Sequence, residues 1–80
     1  MQYRFSGTTR RGAGNSGVTT MPPADLAGRA EGRFRAGFRR LVLCAGPGPV
    51  PPGRGEDTVA EIAPDPGTGR RTWWAETGEV

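Results

Sequence analysis

The sequence of 80 residues contains no lysine and no histidine, and its single cysteine is Cys44. Each absence closes off a chemistry. A lone cysteine forms no intramolecular disulfide, and without histidine or a second thiol the chain lacks the ligands of a structural zinc site. Serine or cysteine catalysis has no conventional imidazole base. A Walker-type phosphate loop needs a lysine that is not there. A phosphatase-type loop would carry arginine six residues after Cys44, and Val50 stands at that position. The sequence therefore predicts a non-enzymatic protein with no cofactor and no metal.

Apolar residues are scarce as well. Leu, Ile, Val and Phe make up 12 of 80 residues, below the roughly 20% under which a chain struggles to build a core. The longest wholly apolar run covers residues 41–45, far short of a membrane span or a signal-peptide core. Arg10 and Arg11 form a twin-arginine pair, but "GAGNSGVTT" follows with no apolar region, so the expected location is cytoplasmic. The acid-free, Ser/Thr-rich stretch before Asp25 has the composition of an organelle transit peptide. Gly7, Gly12, Gly14 and Gly17 oppose the amphipathic helix such a peptide needs.

Glycine and arginine fill the space. There are 14 Gly and 8 Pro, and all eleven cations are arginine. Arg, Gly, Pro and Ala have GC-rich codons, so base composition is one source of this enrichment. Charge is nevertheless uneven: residues 1–55 carry nine Arg against Asp25 and Glu31, whereas residues 56–80 carry Arg70 and Arg71 against six acids. A chain with a net charge of +3 and this asymmetry points either to an anionic partner or to internal neutralisation.

Along the chain, "QYRFS" offers a short strand with Tyr3 and Phe5 on one face, and the rest of residues 1–20 reads as a flexible loop. Thr20 is a candidate helix cap followed by Pro22 and Pro23 in a first turn, where a missing N–H does no harm. Leu26, Ala30, Phe34, Phe38 and Leu41 then recur at helical spacing, which predicts an amphipathic helix over residues 22–44 within a basic segment 21–45. Gly28, Gly32 and Gly37 each cost such a helix about 1 kcal/mol, so it needs a packing partner. "GPGPVPPGRG" then reads as part of a Pro/Gly linker over residues 46–57. "TVAEIA", the turn cluster "PDPGTG" and "RRTWWAE" predict a hairpin over 58–76, with Trp73 and Trp74 on opposite faces. The fold expected from these pieces is a small, partly disordered α+β domain: an arginine-rich helix packed on a C-terminal hairpin.

Three motifs have cheap explanations. "GAGNSG" satisfies the dinucleotide-binding spacing, but Pro22 and Pro23 delay the helix and no acid follows "LVL" to hold a ribose. Pro49, Pro52 and Arg54 fit a polyproline ligand within a segment that already reads as linker. "PDPGTGRRTWW" resembles a small actinobacterial domain built on W-x-x-D-P followed by R-W-W-D-G. Asp65, Pro66, Trp73 and Trp74 correspond, the leading and trailing tryptophans are missing, and the resemblance implies no activity.

The remaining signal is "RAEGRFRAGFRR". Arg29, Arg33, Arg35, Arg39 and Arg40 are expected to line a helix face that meets phosphates, with Trp74 as a base-stacking surface. The expected partner is nucleic acid or an acidic protein surface. The alternatives are a protein-interaction module or a product with no dedicated activity, its arginines being neutralised by Glu61, Glu76 and Glu79 of the same chain.

Overall fold

The computed structural model describes residues 1–28 and 32–76. It is dominated by one five-stranded antiparallel sheet, with two short helices on one face. The strands are β1 (Tyr3–Thr9), β2 (Gly14–Thr19), β3 (Phe38–Ala45), β4 (Thr58–Pro64) and β5 (Arg71–Ala75), arranged in the order β2-β1-β3-β4-β5. The helices α1 (Pro23–Ala27) and α2 (Gly32–Ala36) lie between β2 and β3 in the chain.

This corrects the expectation of one long helix packed on a hairpin. The apolar spacing from Leu26 to Leu41 is real but is divided among three elements. α1 ends at Gly28, whose backbone is extended and whose N–H is shared by the carbonyls of Ala24 and Asp25. α2 ends at Gly37, and from Phe38 the chain is strand. The deciding stretch is Leu41–Cys44, which is buried on both sides of the sheet: Leu41, Leu43 and Cys44 are 0% exposed and Val42 is 4% exposed. A continuous apolar run is what a central strand shows when both of its faces are covered. A helix would have turned Leu43 to the side opposite the Phe34–Phe38 stripe. The sheet buries all four residues.

Residues 1–20 supply two of the five strands. β1 alternates aromatic and polar residues, so Tyr3 and Phe5 join the core beneath the helices while Arg4 stands opposite Cys44 on the other face. Gly7 lets β1 and β3 close around Phe38: a Cβ at this position would lie 2.4 Å from the Arg40 carbonyl oxygen and 2.7 Å from the Phe38 ring. β4 and β5 pair across the region where a hairpin is expected, with Ile62 opposite Trp73 and Glu61 opposite Trp74. They form one side of the larger sheet rather than a free-standing ribbon. The Pro/Gly segment 46–57 joins β3 to β4.

The core divides along the strands. Towards one end, Leu26 of α1 packs with Leu43, Val59, Ala60 and Ala75. Towards the other, Phe38, Leu41 and Ile62 form a second cluster, against which Phe34 of α2 and Phe5 pack. The three phenylalanine rings meet at centroid distances of 5.1 to 5.8 Å, two pairs being edge-to-face. Such aromatic pairs add about 0.5–1.5 kcal/mol each beyond simple burial, and they hold α2 over the start of β3.

Candidate nucleic-acid interface

In an antiparallel sheet the ends of neighbouring strands alternate, so every second connection lies at the same end. The register brings Thr9 beside Phe38 and Pro64 beside Arg71. At that end lie the β1–β2 turn with Arg10 and Arg11, α2 with Arg33 and Arg35, the first residues of β3 with Arg39 and Arg40, and the entry to β5 with Arg70 and Arg71. Among the described residues, eight of the ten arginines therefore share one end of the sheet. Six of them, Arg10, Arg11, Arg33, Arg39, Arg40 and Arg70, are exposed.

Local structure fixes each group. In the β1–β2 turn, Thr9 N donates to the Ala13 carbonyl at 2.8 Å, and Ala13 N donates to Thr9 Oγ1 at 3.1 Å. Gly12 supplies the positive φ of +87° that the turn requires. Arg10 and Arg11 thus sit at the tip of a closed hairpin. Arg40 faces Thr8 across the ladder, and Arg39 falls where the β1–β3 register shifts at Thr8/Thr9. In the β4–β5 turn, Asp65 Oδ1 accepts the Gly67 N–H at 2.7 Å and the Thr68 N–H at 3.1 Å. The acid of this turn is therefore engaged with backbone.

The compensating charge is elsewhere. Among the described residues the ion pairs join Arg4 to Asp57, at 2.8 Å, and Arg54 to Glu61. Glu61 accepts Arg54 Nε at 3.0 Å. Among the described residues Glu61 pairs with Arg54 and not with Arg33, Arg35, Arg39 or Arg40; Arg29 and Glu79 lie outside the described residues. Arg71, at the entry to β5, is partly buried among these charges. Burial first, then the neighbouring charges of Arg10 and Arg35, lower its affinity for its proton.

The expected site residues separate into three groups. Arg33, Arg35, Arg39 and Arg40 are brought to one end, but on a short helix and a strand rather than on a single helix face. Arg29 lies outside the described residues. Trp74 is on β5 away from the arginine cluster, with the Arg54 guanidinium 3.9 Å from its ring centroid. Its ring is occupied within the chain. Sequence reasoning missed Arg10, Arg11, Arg70 and Arg71 as members of the site. The signal was two Arg-Arg pairs, each beside a glycine-rich turn.

The opposite end of the sheet is of different character. An open cavity of about 740 Å³ there is lined by Met1, Gln2, Arg4, Val18, Ala45, Gly46 and Pro47. Arg4 is already bonded to Gly46 O, Ala45 O and Asp57. Cys44 is buried, and its Sγ lies 3.8 Å from Thr58 Oγ1. Burial raises the thiol's pKa, partly countered by that hydrogen bond, so it is a poor nucleophile. Among the described residues no three His, Cys, Asp or Glu side chains are grouped to hold a metal ion, and no helix is long and apolar enough to cross a membrane.

No model of a known protein family, no curated protein and no solved structure matches the chain.

Proposed function

We propose that the chain binds nucleic acid through the arginine end of its sheet. The observation that carries this reading is the segregation of charge. Eight arginines from four separate segments share one end, while the ion-paired Arg4 and Arg54 lie outside it. Guanidinium groups match phosphate geometry with paired N–H donors and remain charged at any physiological pH. Neutralising a phosphate backbone releases condensed counterions, which favours binding at low salt whatever the base sequence. A strand laid across the end would meet Arg10 and Arg11, then Arg39 and Arg40, then Arg70. Trp74 has no part in this arrangement, because its ring is stacked by Arg54.

The test is the salt dependence of binding to a labelled single-stranded oligonucleotide, followed by fluorescence anisotropy. If the six exposed arginines each neutralise one phosphate, log Kobs falls with log[salt] with a slope near −4, from about 0.7 per contact on single strands. Replacing Arg10, Arg11, Arg33, Arg39, Arg40 and Arg70 with glutamine should remove most of that slope. A slope that survives the six replacements unchanged rules out this surface.

A further inference from the structure

Within the arginine end, contacts between elements bring the chain at Arg10, Arg35 and Arg71 together. Arg71, the first residue of β5, is anchored through Nη1, which donates to the carbonyl oxygens of Phe38 and, at 3.5 Å, of Arg35. Arg35, near the end of α2, places its guanidinium 5.6 Å from the ring centroid of Trp73. The Arg10 backbone N–H donates to the Gly37 carbonyl at 3.3 Å, which ties the β1–β2 turn to the junction between α2 and β3. Like charges left to themselves spread apart; here backbone contacts hold their carriers in place.

Among the described residues the neighbourhood is rich in donors and short of acidic acceptors. Among the described residues none of the three arginines is in an ion pair, and the buried Trp73 Nε1 has no hydrogen-bond partner. Because both bonds of Arg71 use Nη1, its Nε–Nη2 edge is the part that can grip two oxygens of an anion side by side. Burial first, and then repulsion from the charges of Arg10 and Arg35, lowers the proton affinity of Arg71. Arginine stays protonated regardless, so the repulsion is relieved by an anion rather than by loss of a proton.

We infer that Arg10, Arg35 and Arg71 form a seat for a phosphate dianion, the chemistry of a phosphomonoester such as the terminal phosphate of a nucleic-acid strand. The strand as the source of that phosphate rests on the nucleic-acid reading above; the seat itself does not. A backbone phosphodiester carries one negative charge, whereas a monoester carries about 1.5–2 and offers three strong acceptor oxygens. Three neighbouring cations match the monoester better.

The experiment uses the full chain and two probes. Inorganic phosphate is titrated at constant ionic strength, with sodium chloride as the balance, and followed by tryptophan fluorescence and thermal melting. Two oligonucleotides of one sequence, with a 5′-phosphate or a 5′-hydroxyl, are compared by anisotropy. The expected result is saturable binding of phosphate, weakened about tenfold by Arg10→Gln and by Arg35→Gln, the loss that follows from removing one charge-assisted contact. The 5′-phosphate should tighten oligonucleotide binding about tenfold, and the advantage should vanish in both variants. Identical responses to phosphate and chloride, or a phosphate affinity untouched by the two replacements, overturn the seat. Phosphate binding without any oligonucleotide binding keeps the seat and removes the nucleic-acid reading. Oligonucleotide binding indifferent to the 5′ group and to inorganic phosphate does the reverse.

Discussion

Replacing Gly7 with alanine adds one methyl group at the closest approach of β1 and β3. The new Cβ would lie 2.4 Å from the Arg40 carbonyl oxygen and 2.7 Å from Phe38 Cδ1. The oxygen belongs to the backbone of the central strand and cannot rotate away, while the ring is wedged between Phe5 and Phe34. Relief requires moving one strand of a hydrogen-bonded ladder. Overpacking of this kind costs roughly 1–3 kcal/mol, and the reduced freedom of the unfolded chain returns about 0.4–1. The net loss is about 1–2 kcal/mol. For a domain of this size each kcal/mol lowers Tm by about 4–8 °C, so the melting temperature followed by circular dichroism should fall by about 4–16 °C. Gly14→Ala in β2 is the control, because nothing lies within 4 Å of its Cβ position; it should stay within about 0.5 kcal/mol of the parent. A Gly7→Ala protein that melts with the Gly14→Ala protein would refute the β1–β3 register, and with it the placement of Arg40 beside the β1–β2 turn.

Two further outcomes follow from the buried thiol and the stacked indole. The folded-state pKa of Cys44 is raised by burial, so folding favours the neutral thiol. Its contribution to stability is whole below the unfolded thiol's value near 8.5 and is lost as pH rises through the higher folded value. Denaturant midpoints of wild type should therefore fall above about pH 8.5 more steeply than those of Cys44→Ala, and a thiol reagent should label Cys44 only after unfolding; rapid labelling of the native chain refutes its burial. Arg54→Ala removes the guanidinium 3.9 Å from the Trp74 ring centroid together with its bond to Glu61. Arg54 is exposed, so the loss should be no more than about 1 kcal/mol, but tryptophan emission should shift to the red. Unchanged emission refutes the stack.

The candidate site was half visible in the residues. "RAEGRFRAGFRR" announces a basic segment whatever its conformation, because charge is a property of the side chains. The faces those side chains share are set by backbone conformation, and there the helical reading failed. Leu41–Cys44 supports a helix stripe or a doubly buried strand equally well until its neighbours are known. Likewise "GNSGVT" carries no alternation of apolar residues and becomes β2 through its ladder with β1. Arg10 and Arg71 are sixty-one positions apart in the chain, and no local pattern links them.

By itself, the sequence determined the arginine excess, the absence of lysine and histidine, the turns at the glycine-rich stretches and the alternation that sends Trp73 and Trp74 to opposite faces. These are properties of single residues or near neighbours. Only the tertiary structure decided that the middle of the chain breaks into two helices and a central strand, and that the separated arginines gather at one end. Helix formation rests on contacts a few residues apart, whereas β3 draws its stability from β1 and β4, partners distant in the chain. Antiparallel pairing then returns the turns carrying Arg10, Arg11, Arg70 and Arg71 to the end where Arg39 and Arg40 begin β3. The location of the charge is thus a consequence of strand direction, which the order of residues encodes only through the whole sheet.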